Sequence, residues 1–126
     1  MTLNAKSIER LTGVHPHLVA IVQRTAAASA IPFQVSEGLR TPERQRELVA
    51  KGASQTQNSR HLTGHAVDVV LLNPDGSANW DFAKYREFSK DFLAAAAALS
   101  HPVIWGGAWT TLRDGPHFEL DRKVYP

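Results

Sequence analysis

Apolar positions along this chain switch between two spacings, and the switches mark its elements. Leu18, Ile21, Val22 and Ala26 recur three or four apart, which gives a helix one apolar face. That pattern opens at His15-Pro16, where the missing N–H of proline does no harm. A shorter helical stretch, Ser7 to Leu11, precedes it and stops at Gly13. Phe33 to Glu37 then alternates apolar and polar, as a half-buried strand does. Thr41-Pro42 caps and starts an amphipathic helix over Glu43 to Lys51, which Gly52 closes. Ala53 to Arg60 is polar and reads as a loop. Ala66 to Leu72 is apolar throughout except for Asp68, the signature of a central strand, and Asn73-Pro74-Asp75-Gly76 turns the chain after it. Phe82, Tyr85, Phe88, Phe92, Ala96 and Leu99 form the longest stripe at helical spacing, with Asp81 placed to cap it. Two short strands follow, Val103 to Trp105 and His117 to Leu120. The pattern predicts one small α+β domain over 1–126, with helices packed on one face of a mainly antiparallel sheet.

Composition narrows the classes. At 126 residues with 43% hydrophobic positions, the chain suits one globular core. Fourteen basic against twelve acidic side chains leave a net charge of +2 and no Lys/Arg run, which argues against a nucleic-acid partner. No apolar run approaches the ~20 residues that span a bilayer, so no membrane insertion is expected. Met1 to Leu11 lacks the apolar core of a secretory signal, and the expectation is a cytoplasmic location. Cysteine is absent, so any metal must rest on histidines and carboxylates.

Such a set exists. His61 and Asp68 bracket Gly64 where a loop enters the apolar strand, and His117 opens the last strand. Two imidazoles and one carboxylate make a three-ligand site for a zinc-type ion, and a catalytic zinc keeps its fourth position open for water. A carboxylate inside Ala-Val-Asp-Val-Val is costly to bury unless it is paired or bound to a cation, although a salt bridge or a strand-end hydrogen bond would also satisfy it. Asp114, three residues before His117, is placed to move protons as a general base; it also fits a simple Asp-Gly-Pro turn. Arg40 could polarise a carbonyl or form a surface ion pair, and Glu37 is a supporting candidate. Ser59 either contacts substrate or shapes its loop. Trp109, beside Gly106-Gly107, serves the rim or a substrate groove. His65 reads as site wall or as a support behind the site, and His15, His17 and His101 as caps beside prolines or helix ends.

The run Ser59-Arg60-His61-Leu62-Thr63-Gly64-His65-Ala66-Val67-Asp68 resembles the Ser-x-His-x-x-Gly-x-Ala-x-Asp signature of the D-alanyl-D-alanine metallopeptidases, zinc enzymes of cell-wall peptides. Gly38-Leu39-Arg40-Thr41 with Arg44-Gln45 and Leu48 resembles that family's upstream block. Trp105-Gly106-Gly107-x-Trp109 with Asp114-x-x-His117-Phe118-Glu119 resembles its C-terminal block. The three blocks stand in order between Val35 and Leu120, and the short form is most similar to phage endolysins that cut between L-alanine and D-glutamate. The resemblance implies one zinc ion on His61, Asp68 and His117, Asp114 as general base, and Arg40 near the scissile carbonyl. Some endolysins of this type carry a longer acidic, calcium-binding loop before the final His; here only Thr110 to Arg113 fills the gap, and no calcium site is expected.

The expected function is therefore a monomeric zinc endopeptidase acting on peptidoglycan stem peptides in host lysis, released by a holin-type partner. The alternatives are a D-alanyl-D-alanine carboxypeptidase or dipeptidase, and a zinc-stabilised module that grips wall peptides without cutting. Asp114 argues against the last, because a pure binder needs no base beside a metal.

Overall fold

The computed structural model describes residues 1–54, 59–110 and 113–126. Among these residues four α-helices are present: α1 (Ala5–Arg10), α2 (Pro16–Ala28), α3 (Pro42–Ala50) and α4 (Phe82–Ala98). Five strands accompany them: β1 (Phe33–Glu37), β2 (Ala66–Leu72), β3 (Ala78–Asn79), β4 (Val103–Trp105) and β5 (His117–Leu120). Side chains cap the helices as the sequence predicts for α2, α3 and α4. His15 Nδ1 accepts from His17 N–H, Thr41 Oγ1 from Arg44 N–H, and Asp81 Oδ1 from Ala83 N–H. α1 begins earlier than its apolar pattern suggests, because Asn4 Oδ1 accepts from Ser7 N–H at 2.8 Å and starts the helix there. β3, two residues long, carries too little pattern to be read from sequence.

The sheet runs β1-β2-β5-β4, with every pair antiparallel and β3 alongside the far end of β2. Its inner face presents Phe33, Val35, Val67, Val69, Leu71, Phe118 and Leu120, all essentially buried. Leu18, Ile21 and Val22 of α2 and Tyr85, Phe88 and Phe92 of α4 pack against that face. The rings of Phe92 and Phe118 stack with centroids 4.0 Å apart. Each such side chain contributes roughly 1.5–3 kcal/mol by leaving water. α1 covers the exposed edge of β1: Ser7 Oγ accepts from Val35 N–H and Arg10 donates to Val35 O, which satisfies edge groups that would otherwise invite pairing.

α3 forms where the sequence predicts a helix but buries little of itself. Gln45 is its one buried residue among those described, and the helix lies on the opposite side, with Leu48 lining a cleft. The sheet thus separates a dry core from a polar face. Of the polar loop predicted over Ala53 to Arg60, residues 55–58 lie outside the described residues. So do residues 111 and 112 of the short segment on which the calcium expectation rested.

Candidate active site

The Ser-x-His-x-x-Gly run folds as a single 3-10 turn, Arg60–Thr63. Ser59 Oγ accepts from His61 N–H at 3.2 Å at its start. Gly64 closes it at φ +74°, where a Cβ would also come within 2.4 Å of the Gly13 carbonyl oxygen. The turn buries His61 and aims it across the sheet. His61 Nδ1 donates to Gly38 O at 2.8 Å, and Nε2 faces Asp68 Oδ1 at 3.2 Å. A Cβ on Gly38 would sit 2.1 Å from the Arg10 carbonyl oxygen, so glycine lets this loop pack against the end of α1.

Strand register supplies the rest. Asp68 on β2 stands opposite His117 on β5, so both project to the polar face. His117 Nδ1 lies 3.1 Å from Asp68 Oδ1, and its Nε2 lies 2.9 Å from Glu119 Oε1. Each imidazole therefore has one nitrogen tied outward, to Gly38 O or Glu119, and one turned to Asp68, where a proton or a metal cation can sit. Donor atoms of His61, Asp68 and His117 lie within 4.8 Å of one another. Two histidines with outward partners plus a carboxylate are the donor set and spacing of a metal site, and they suit a zinc-type ion.

The electrostatics agree. Burial would raise the Asp68 pKa, but hydrogen bonds from His117 and His61 hold it well below the usual carboxylate range. Burial would lower that of His117, but Asp68 and Glu119 drive it up to about 9. Without a metal, the site is a carboxylate clasping an imidazolium.

A bulge brings in Glu37. Phe33 and Val35 pair with Leu71 and Val69, but the register then slips so that Glu37, not Ser36, stands opposite Asp68. Strict alternation from Val35 would turn Glu37 into the core; the extra residue re-aims it to the polar face. There it binds Arg40 Nε. Arg40 also donates through Nη1 to Gln45 Oε1 at 2.8 Å and to Ser59 Oγ at 3.5 Å, and its Nη2 lies 3.8 Å from Asp68 Oδ2. The guanidinium is thus locked beside the three-donor cluster.

Asp114 reaches the site from the segment between β4 and β5. A Cβ on Gly106 would lie 3.2 Å from the Asp114 Cβ and 3.0 Å from the His117 Cβ, so glycine there lets the two crowd together. Burial first, and then the charge of Asp68, raise the Asp114 pKa. Trp109 is half-buried with its ring 5.1 Å from that of His117. Trp105 is core, its Nε1 donating to Gly115 O. The seven residues given metal, catalytic or substrate roles from sequence, His61, Asp68, His117, Asp114, Arg40, Ser59 and Trp109, line one cleft of about 1100 Å³, as does Glu37.

His65 does not. The left-handed turn at Gly64 sends its ring to Thr63 Oγ1 at 2.6 Å, toward His15 and away from the cleft, which corrects its reading as site wall. Sequence reasoning left the roles of Glu37, His65 and Glu119 open and passed over Arg60. Arg60 donates to Leu120 O and Tyr125 O, and its Nε lies 4.0 Å from Glu119 Oε2. Its position next to His61 was the one available signal.

The profile of the phage L-alanyl-D-glutamate peptidase family matches residues 1–125. The chain belongs to this family. Its fold matches the crystal structure of the Serratia marcescens L-Ala D-Glu endopeptidase ChiX with a TM-score of 0.92 at 48% identity, covering 100% of this chain and 94% of that one. An L-alanyl-D-glutamate peptidase of an Escherichia phage is 28% identical over 124 residues, 94% of this chain and 88% of that protein. One of a Listeria phage is 36% identical over 99 residues, 78% of this chain. Those residues are 34% of the Listeria phage protein, so the chain spans about a third of that relative. Among the described residues, no helix of this family member is long and apolar enough to cross a membrane.

Proposed function

We propose that residues 1–126 act as one zinc peptidase domain that hydrolyses the L-alanyl-D-glutamate bond of peptidoglycan stem peptides. The observation that carries this reading is the meeting of His61, Asp68 and His117 on the floor of the cleft, with the Asp114 carboxyl beside them. The names of the Serratia and phage relatives support the bond. His61, Asp68 and His117 would hold one zinc ion, which supplies Lewis-acid charge that acidifies water and polarises a carbonyl.

The chain's own groups do the remaining work. Asp114 takes a proton from the attacking water and returns it to the leaving amine; its raised pKa brings it closer to a useful base and acid at neutral pH. Arg40, held by Glu37 and Gln45, presents fixed positive charge toward the scissile carbonyl and the charge that develops on its oxygen. Ser59 and Trp109 contact the peptide along the cleft. Phage relatives support host-cell lysis as the setting. Action as a monomer, residence in the host cytoplasm and release by a holin-type partner belong to the same proposal.

The test is digestion of purified Gram-negative peptidoglycan with and without chelator, read by mass spectrometry. The expected products are new L-alanine C-termini and D-glutamate N-termini, lost with chelator and restored by zinc. Free D-alanine instead would replace this reading with a carboxypeptidase.

A further inference from the structure

We infer that Arg113 is the specificity residue for the free carboxylate of the glutamate in the substrate, an inference that rests on the proposed peptidase reading. Glutamate has two carboxyl groups. When its amine is acylated by alanine, at most one carboxyl continues the peptide, so an anion remains close to the bond that breaks. A cleft that cuts there must meet this anion with a cation or reject it.

Four arginines line the cleft: Arg40, Arg60, Arg113 and Arg122. Three are engaged. Arg40 is bound by Glu37 and Gln45 and lies against Asp68. Arg60 is buried, donates to Leu120 O and Tyr125 O, and faces Glu119. Arg122 Nε lies 3.8 Å from the same Glu119. Arg113 is exposed and, among the described residues, makes no ion pair. Its guanidinium lies 5.9 Å from the centroid of the Phe82 ring, a contact that braces the charge without neutralising it.

Asp114 returns a proton to the leaving amine, and that amine belongs to glutamate. Arg113 adjoins Asp114 in the chain and lines the same cleft, and we assign it to the glutamate half, because Arg40, held from α3 and the start of the 3-10 turn, is committed to the scissile carbonyl. An arginine is suited to the task because its fork of N–H donors matches a carboxylate.

The experiment uses the zinc-loaded full chain and two synthetic stem peptides that differ at one group, a free carboxylate or a carboxamide on the glutamate. The wild type is expected to favour the carboxylate by about tenfold in kcat/KM, carried mainly by KM. Arg113→Gln is expected to bring that ratio close to one, and Arg113→Lys to restore part of it. A preference that persists undiminished in Arg113→Gln, or a wild type indifferent to the group, overturns the inference and leaves the peptidase reading standing. A wild type that cuts neither peptide nor purified peptidoglycan overturns both.

Discussion

Glu119 touches neither the inner imidazole nitrogens of His61 and His117 nor the Asp68 carboxylate, yet its replacement should be felt in metal affinity. Its Oε1 lies 2.9 Å from His117 Nε2, and its side chain is 11% exposed. Glu119→Ala would leave the outer N–H of a buried imidazole without its acceptor, a cost of about 1–3 kcal/mol. That corresponds to roughly 5–150-fold in an equilibrium constant, the range in which outer partners of metal-bound histidines act. Glu119→Gln keeps an acceptor in place and loses the charge that Arg60 and Arg122 face, so its effect belongs at the lower end, about tenfold. The assay is zinc affinity at neutral pH by competition with a chromophoric chelator, with metal-free thermal unfolding of each variant as the control for folding. If Glu119→Ala bound zinc within a factor of two of wild type while melting normally, the idea that this carboxylate orients His117 would fall.

Three further outcomes are expected. Asp114→Asn should retain zinc within a few-fold while losing on the order of a hundredfold or more in peptidoglycan hydrolysis, measured by turbidity; undiminished turnover would remove Asp114 from proton transfer. Gly64→Ala, which strains a residue at φ +74° and drives a methyl group toward the Gly13 carbonyl, should destabilise the fold by more than about 1 kcal/mol in a denaturant titration. The third concerns pH in the metal-free protein. His117 has its pKa raised from 6.5 to about 9, so its contribution to stability is fully present below pH 6.5 and is lost as pH rises through 9. Asp68, with a depressed pKa, contributes above its ordinary 3.8 and loses this only under strong acid. Calorimetry with chelator should thus show highest stability between about pH 4 and 6.5. Zinc affinity should gain about tenfold per pH unit up to about 9, because binding releases the His117 proton.

Much of this molecule is legible in its sequence, because much of it is local. The α4 stripe and its Asp81 cap, the strand from Ala66 to Leu72, and the cap-turn-glycine run that carries His61 toward Asp68 are each set by residues within a few positions of one another. Backbone dihedrals and side-chain period record such information directly. The candidate metal donors and Asp114 were named from three ordered blocks that resemble a zinc peptidase family; local spacing by itself left a salt bridge for Asp68 and a plain turn for Asp114 open.

What only the tertiary structure decided is which distant groups meet. The pairing of Asp68 with His117 across 49 positions follows from the β2–β5 register, which depends on the packing of the whole inner face. The bulge after Val35 turns Glu37 from core to cleft, and nothing local announces it. The same holds for Arg60 between the two histidine-bearing segments, and for His15, His17 and His101, which the fold gathers beside Tyr125, with His65 against His15. A strand one residue out of register presents its opposite face, so these meetings are properties of the closed sheet and its core rather than of any stretch of the chain.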